Sequence, residues 1–293
     1  MRTGIVALAA VATLSCGSRS APPEGALTRY RLDGPPTSRV TLPGELREVS
    51  GLAATADGRL FAHGDEHGVV FQVEAGTGDV VKRFSLMPGT DQVDLGKKST
   101  DGQVTGDFED IAVVADRLFM VTSNGVLVEF AEGKDGEQVP YTAHPTALGG
   151  ICEVEGLAHD VSSETLLLLC KQMKGKAARD RVEIYAWSLR DRRLDPKPRL
   201  TIPVDSLASI TGAKGFNGSA LAFMPGGKSL AMVAGPQQAF AEVALDGKPV
   251  TGGALDRGAQ PQPEGMAFLP DGTLLMSSEG GRGEATIGAY RPR

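Results

Sequence analysis

The stretch Glu153-Val154-Glu155-Gly156-Leu157-Ala158-His159 decides the reading of this chain, because the sequence repeats its pattern. Four more segments carry the same order of polar, small and aliphatic residues. They are Glu48-Val49-Ser50-Gly51-Leu52-Ala53-Ala54, Asp107-Phe108-Glu109-Asp110-Ile111-Ala112-Val113, Asn217-Gly218-Ser219-Ala220-Leu221-Ala222-Phe223 and Gln262-Pro263-Glu264-Gly265-Met266-Ala267-Phe268. Aligned, they place Ser50, Glu109, Glu155, Ser219 and Glu264 in one column, with successive members 59, 46, 64 and 45 residues apart. A period of about fifty residues, filled with short strands and tight turns, suits four-stranded propeller blades with long loops.

Working outward, each segment opens a blade. Residues 51–54, 59–63, 69–73 and 80–84 read as strands of the first, and 111–114, 117–122 and 126–130 of the second. The third takes 157–159, 165–170, 182–189 and 200–204; the fourth takes 220–223, 229–233 and 239–245; the fifth takes 266–269, 273–278 and 286–290. Asp57-Gly58, Gly226-Gly227 and Asp271-Gly272 are hairpin turns, where glycine supplies a positive φ. The run Leu166–Leu169 is apolar at every position, as a strand buried on both faces must be. The fifth blade lacks an outer strand, and residues 39–42 can supply it and close the ring. Residues 27–32 read as one more strand with no assigned neighbour. No helical periodicity of a dozen residues competes. The expected fold is all-β: a single propeller of five four-stranded blades, its N-terminal strand closing the last.

Composition agrees. Glycine accounts for 38 of 293 residues, roughly twice the usual share, and has no three-residue period, which excludes collagen. A hydrophobic content of 41% excludes a disordered chain. Thirty basic residues against 36 acidic ones give no basic face for nucleic acid.

Residues 1–16 read as a targeting segment. A positive start, Met1-Arg2-Thr3, precedes an uncharged run from Gly4 to Leu14, too short to span a bilayer as a mature helix. It ends Thr13-Leu14-Ser15-Cys16-Gly17, which resembles a bacterial lipoprotein signal with Cys16 as the lipidation site; a plain secretory signal is the alternative. Residues 17–25 are then a polar tether and 26–293 the propeller. This places the protein in the cell envelope, lipid-anchored at the outer membrane or periplasmic face, or secreted. Membrane contact would come through the lipid alone. In that oxidising setting Cys152 and Cys170 either form a disulfide or remain two buried thiols.

A propeller brings the start of every inner strand to its axis. Glu109, Glu155 and Glu264 would therefore converge in one channel and repel one another. A hard cation would relieve the repulsion. Calcium takes six to eight oxygens, and Ser50, Ser219, carbonyls and water could complete its shell. The alternative is that the glutamates accept hydrogen bonds from backbone amides between blades. Glu48, in the column before, together with Asp65 and Glu279 at strand ends, would line the channel mouth.

These five motifs, with Leu274-Leu275-Met276-Ser277-Ser278-Glu279, resemble the SdiA-regulated family over residues ~38 to 290. The resemblance implies an envelope protein, a five-bladed propeller akin to NHL repeats, a bound calcium ion and no established reaction. Pro263-Glu264-Gly265-Met266 is also similar to the Pro-Asn-Gly-Ile motif of lactonase-type propellers, and Glu109-Asp110-Ile111 to its Glu-Asp-Leu version. That likeness implies a metal role for Glu109 and Glu264, and by column for Glu155. It departs in lacking the asparagine and in blade number.

Other features carry less. His63-Gly64-Asp65-Glu66-His67 has metal-like residues but reads as a solvated loop, and Asp91–Asp107, with its four aspartates, reads as a flexible inter-blade loop. Lys171–Arg181 reads as a basic solvated loop. The expected function is a calcium-binding, monomeric binding or scaffold module taking a small-molecule, glycan or protein ligand at its central channel. The alternative is a calcium-dependent hydrolase of lactone, ester or phytate type; a metal held by three carboxylates is a weak Lewis acid, which favours the binding reading.

Overall fold

The computed structural model describes residues 25–90, 92–97, 102–175 and 180–293. The signal segment, with Cys16, and nearly all of the tether lie outside the described residues. After β1 (Ser38–Thr41), the first blade runs β2 (Val49–Ala54), β3 (Leu60–Gly64), β4 (Val69–Val73) and β5 (Val80–Leu86). The second is β6 (Phe108–Val114), β7 (Arg117–Thr122), β8 (Val126–Ala131) and, after the short β9 (Gln138–Val139), β10 (Tyr141–Pro145). The third comprises β11 (Cys152–Asp160), β12 (Thr165–Met173) and β13 (Arg181–Ser188), flanked by β14 (Arg193–Leu194) and β15 (Leu200–Pro203). The fourth is β16 (Ala220–Phe223), β17 (Ser229–Ala234), β18 (Ala239–Ala244) and β19 (Pro249–Ala254), and the fifth is β20 (Pro263–Phe268), β21 (Leu274–Ser278) and β22 (Thr286–Tyr290). Each blade is an antiparallel meander, and β9 adds to the outer edge of the first by pairing parallel with β5. β1 pairs with β22, Val40 opposite Ile287, so a strand from the N-terminal side of the chain completes the last blade. The inner strands β2, β6, β11, β16 and β20 touch in a closed ring. The chain is a five-bladed β-propeller.

The core follows from strand alternation. Successive side chains of a strand face opposite sides, so each blade feeds the seam on its left and the seam on its right. In β12, Leu166 and Leu168 pack toward the second blade and Leu167 and Leu169 toward the fourth. All four are buried, which is why that strand is apolar without a break. Five such seams account for the apolar core, one between each neighbouring pair of blades.

Three segments differ from the sequence reading. Residues 27–32 form no strand. Ala26–Arg29 is a 3₁₀ turn whose Leu27, with Tyr30 and Leu32, caps the seam between the fourth and fifth blades; Leu27 N–H is taken by the Glu242 carboxylate at 2.7 Å rather than by a neighbouring strand. The strand read to residue 204 stops at Pro203, and α1 (Val204–Thr211) follows, ended by Gly212 at φ 73°. At eight residues it is too short to show as periodicity. The outer strands β10 and β19 are additions to the sequence expectation. As edges they are partly exposed and carry Pro145 and Gly252-Gly253, residues that weaken a strand signal.

Candidate functional site

The column of five residues has a common backbone cause. In four of the five inner strands the pairing register slips by one residue, leaving a β-bulge. Val49 faces Gly64 and Gly51 faces His63, so Ser50 is the extra residue. Glu109 is passed over between Phe108 and Asp110, and Glu155 between Val154 and Gly156. β16 pairs without a slip, and Ser219 stands just before it, its N–H donating to the Val233 carbonyl at 2.7 Å while Ala220 faces Val233. Glu264 and Gly265 share Ser277. A bulge twists its strand and re-aims the extra side chain, and here four of them act on the same column at one end of the axis.

Glycine follows three of the five because the inner strands crowd there. A Cβ on Gly156 would lie 2.9 Å from Leu221 Cβ, and one on Gly265 2.9 Å from Leu52 N. Beyond the bulges the axis continues as an open cavity of about 240 Å³ lined by three residues from each inner strand, His159 among them. The glutamates of the column thus lie at the mouth, and no carboxylate lines the cavity beyond it.

The mouth also holds a cation. In the third blade the partner strand is bulged as well: Glu153 faces Gln172 and Val154 faces Cys170, leaving Lys171 as the extra residue of β12. Its Nζ donates to Glu155 Oε1 at 2.6 Å, with the lysine three-quarters and the glutamate almost wholly withdrawn from water. Lys171 does not start the solvated basic loop that the sequence suggests; it lies in the last part of β12. Counting back from the turn that joins β11 to β12 pairs Glu155 with Cys170 and Lys171 with Val154, so it is the two register slips that set Lys171 beside Glu155. Burial opposes the lysine's charge, but Glu155, Glu264 and Glu153 outweigh it and raise its pKa.

One ammonium does not balance the acids around it. Burial, with the charges of Glu155 and Asp107, pushes Glu109 up to about 10. Burial, with Glu155 and Glu279, pushes Glu264 up to about 8. Burial raises Glu155 to about 7 even against the pull of Lys171. Glu279 reaches about 7 through burial and the charges of Glu48 and Asp65. Among the described residues, no amide or side chain donates a hydrogen bond to Glu109 or Glu264 within normal range. The amide-bonding alternative fits Asp110 instead, whose two oxygens accept Ile111 N–H and Leu157 N–H at 2.8 and 2.7 Å.

The remaining candidates fall around this cluster. Ser219 Oγ lies inside the ring but is bonded twice, donating to the Pro263 carbonyl and accepting Gly235 N–H, both at 3.0 Å. Ser50 is buried at its bulge. Glu48 is exposed at the rim. Asp65 is bound by Lys97 at 3.0 Å, which also lies 3.4 Å from Asp107. Glu279 accepts Gln262 Nε2 at 3.2 Å. His63 and His67 are not brought together. His63 is buried between blades, its Nδ1 donating to the Gly64 carbonyl at 2.9 Å and its pKa lowered by burial to about 4, while His67 is exposed. A larger cavity of about 570 Å³ lies beside the first blade rather than on the axis, sharing Glu48 and Asp65 with the mouth.

These donors do not fit a calcium ion held by all three glutamates. Glu155 already carries an ammonium, Ser219 Oγ is held by a backbone carbonyl and a backbone amide, and among the described residues no three ligating side chains converge as a metal group. The Sγ atoms of Cys152 and Cys170 are bonded to each other, their Cα atoms 5.7 Å apart. That link crosses from β11 to β12 beside the Glu155–Lys171 pair.

Comparison with known proteins supports the architecture. No protein-family model and no curated protein matches the sequence. Among solved structures, the glutaminyl cyclase of Myxococcus xanthus superposes with a TM-score of 0.56 at 13% identity, over 87% of this chain and 94% of that one. The PQQ-bound aldose sugar dehydrogenase of Streptomyces coelicolor gives 0.52 at 14% identity, over 88% and 100%. A luciferin-regenerating enzyme gives 0.51 at 11% identity, over 88% and 95%. At such identities the likeness is one of fold.

Proposed function

We propose that this protein is a ligand-binding propeller whose ligand is cationic and sits over the axial mouth. The observation that carries the reading is the charge imbalance there: Glu109, Glu155, Glu264 and Glu279 face one resident ammonium, Lys171. Burial makes ionisation of all four costly. A positive group entering from solvent lets the protonated acids ionise, so binding releases protons and strengthens as pH rises. A linear polyamine such as spermidine is a suitable probe. Titration calorimetry in buffers of different ionisation enthalpy should give heats that depend on the buffer, and Glu109→Gln with Glu264→Gln should abolish them. Spermidine binding that is absent, or unchanged in the double variant, refutes the reading.

In the same reading Cys16 carries a lipid, residues 17–25 tether the ring, and the protein works as a monomer in the envelope. Loss of labelled palmitate in Cys16→Ala tests this, and retained label refutes it.

A second reading draws on one observation. Glu155 and Glu279 titrate near 7, where a carboxyl group can exchange protons with a substrate at neutral pH. Turnover of lactones, aryl esters or phytate by the wild type, lost in Glu155→Gln, would put a hydrolase in place of the binding module.

A further inference from the structure

We infer that Lys171 is the built-in cation of the propeller axis, standing where a metal ion would otherwise bridge the glutamates, so that this protein is folded and closed without calcium. The inference rests on the axial mouth being the functional site and says what does not occupy it. Three observations carry it. First, Lys171 is placed by the backbone: it is the extra residue of a bulge in β12, opposite the bulge that presents Glu155 in β11. Two consecutive register slips in one hairpin bring an ammonium and a carboxylate to 2.6 Å. Second, both strands are tied where this happens. Cys170, the residue before Lys171, is bonded to Cys152, three residues before Glu155. Third, the ammonium reaches the acids of two blades, since the charges of both Glu155 and Glu264 act on it.

The chemistry of the two cations separates them. An ammonium donates three hydrogen bonds and carries one charge. Calcium requires six to eight oxygens and carries two charges. With Nζ on Glu155, a calcium ion at the same place would meet a like charge and one fewer ligand. With Nζ removed, Glu109, Glu155 and Glu264 lose their resident counter-charge, and a calcium ion that supplies it draws together side chains that do not converge as a metal group while Lys171 is present.

The experiment measures melting of the wild type, Lys171→Gln and Lys171→Arg, each with calcium or with EDTA. The wild type and Lys171→Arg are expected to melt at the same temperature in both. Lys171→Gln is expected to melt lower in EDTA and to recover by about 5 °C at calcium 100-fold above its Kd. Calcium-dependent melting of the wild type overturns the inference and leaves the cationic-ligand reading standing, with calcium as its ligand. A Lys171→Gln variant that folds but ignores calcium also overturns it, because the lysine is then not what excludes the metal. Should that variant fail to fold in EDTA, refolding in millimolar calcium is expected, and no rescue overturns the inference. Equilibrium dialysis of labelled calcium against folded wild type gives an independent arm, in which stoichiometric binding overturns it. Spermidine titration of the wild type decides the binding reading separately.

Discussion

Replacing Glu264 by glutamine should stabilise this protein at neutral pH. In the unfolded chain a glutamate ionises near 4.5, whereas in the mouth burial and the charges of Glu155 and Glu279 move that event to about 8. The sign follows from linkage. Below pH 4.5 the group is protonated in both states and costs nothing. Between 4.5 and 8 only the unfolded chain ionises, so stability falls as pH rises, by about 1.4 kcal/mol per unit. Above 8 both states are ionised and the loss levels off. At pH 7 the full difference is about 3 kcal/mol, and relaxation or water entry reduces it to on the order of 1–3 kcal/mol. Glutamine has nearly the shape of the protonated acid, cannot ionise in either state, and offers an N–H₂ to the neighbouring carboxylates. Glu264→Gln should therefore melt roughly 2–6 °C higher than wild type at pH 7 and about level with it at pH 4.5. Thermal melts of both proteins from pH 4.5 to 9 test this. A difference that does not change with pH, or a variant less stable at pH 8 than at pH 5 relative to wild type, would refute the description of the mouth as a store of unfavourable charge.

Two other expectations bear on the scaffold. Gly51→Ala should lose at least about 2 kcal/mol in chemical denaturation, because its Cβ would lie 2.5 Å from His63 Nε2 and 2.8 Å from Asp110 Cα, a backbone atom that cannot yield cheaply; Gly44→Ala, with nothing within 4 Å, is the matched control and should be near neutral. Cys170→Ser should lower stability by about 2–4 kcal/mol, since the link closes a short loop, and thiol titration of the unfolded wild type should find the pair oxidised; two free thiols, or an unchanged denaturation midpoint in the serine variant, would refute it.

Much of the architecture was legible in sequence for one physical reason. A propeller repeats the same local problem five times, so a bulge like the one that aims Glu155 also aims Ser50, Glu109 and Glu264, with Ser219 at the matching strand entry, and alignment reveals it. Glycines at the turns have positive φ, +87° at Gly58 and +84° at Gly272, where other residues are strained. What stayed hidden was set by neighbours far away in sequence. The segment 27–32 has the apolar content of a strand, but β1 had taken the only free edge of the fifth blade, leaving Leu27 and Tyr30 to fill a seam. β19 is half exposed along most of its length and shows little apolar pattern. Lys171 looked like loop because it precedes a basic, glycine-bearing stretch; its role depends on a register slip in β12 that no composition reveals. The carboxylates of the mouth could be read, but not the cation already among them.

The most direct test of the account is a crystal structure of the protein grown near pH 7 in calcium chloride, at a resolution that separates an ammonium from a metal. The account predicts Lys171 Nζ within hydrogen-bond distance of Glu155 and no ion on the axis. An ion about 2.3–2.6 Å from oxygens of Glu109, Glu155 and Glu264, with Lys171 turned away, would contradict it.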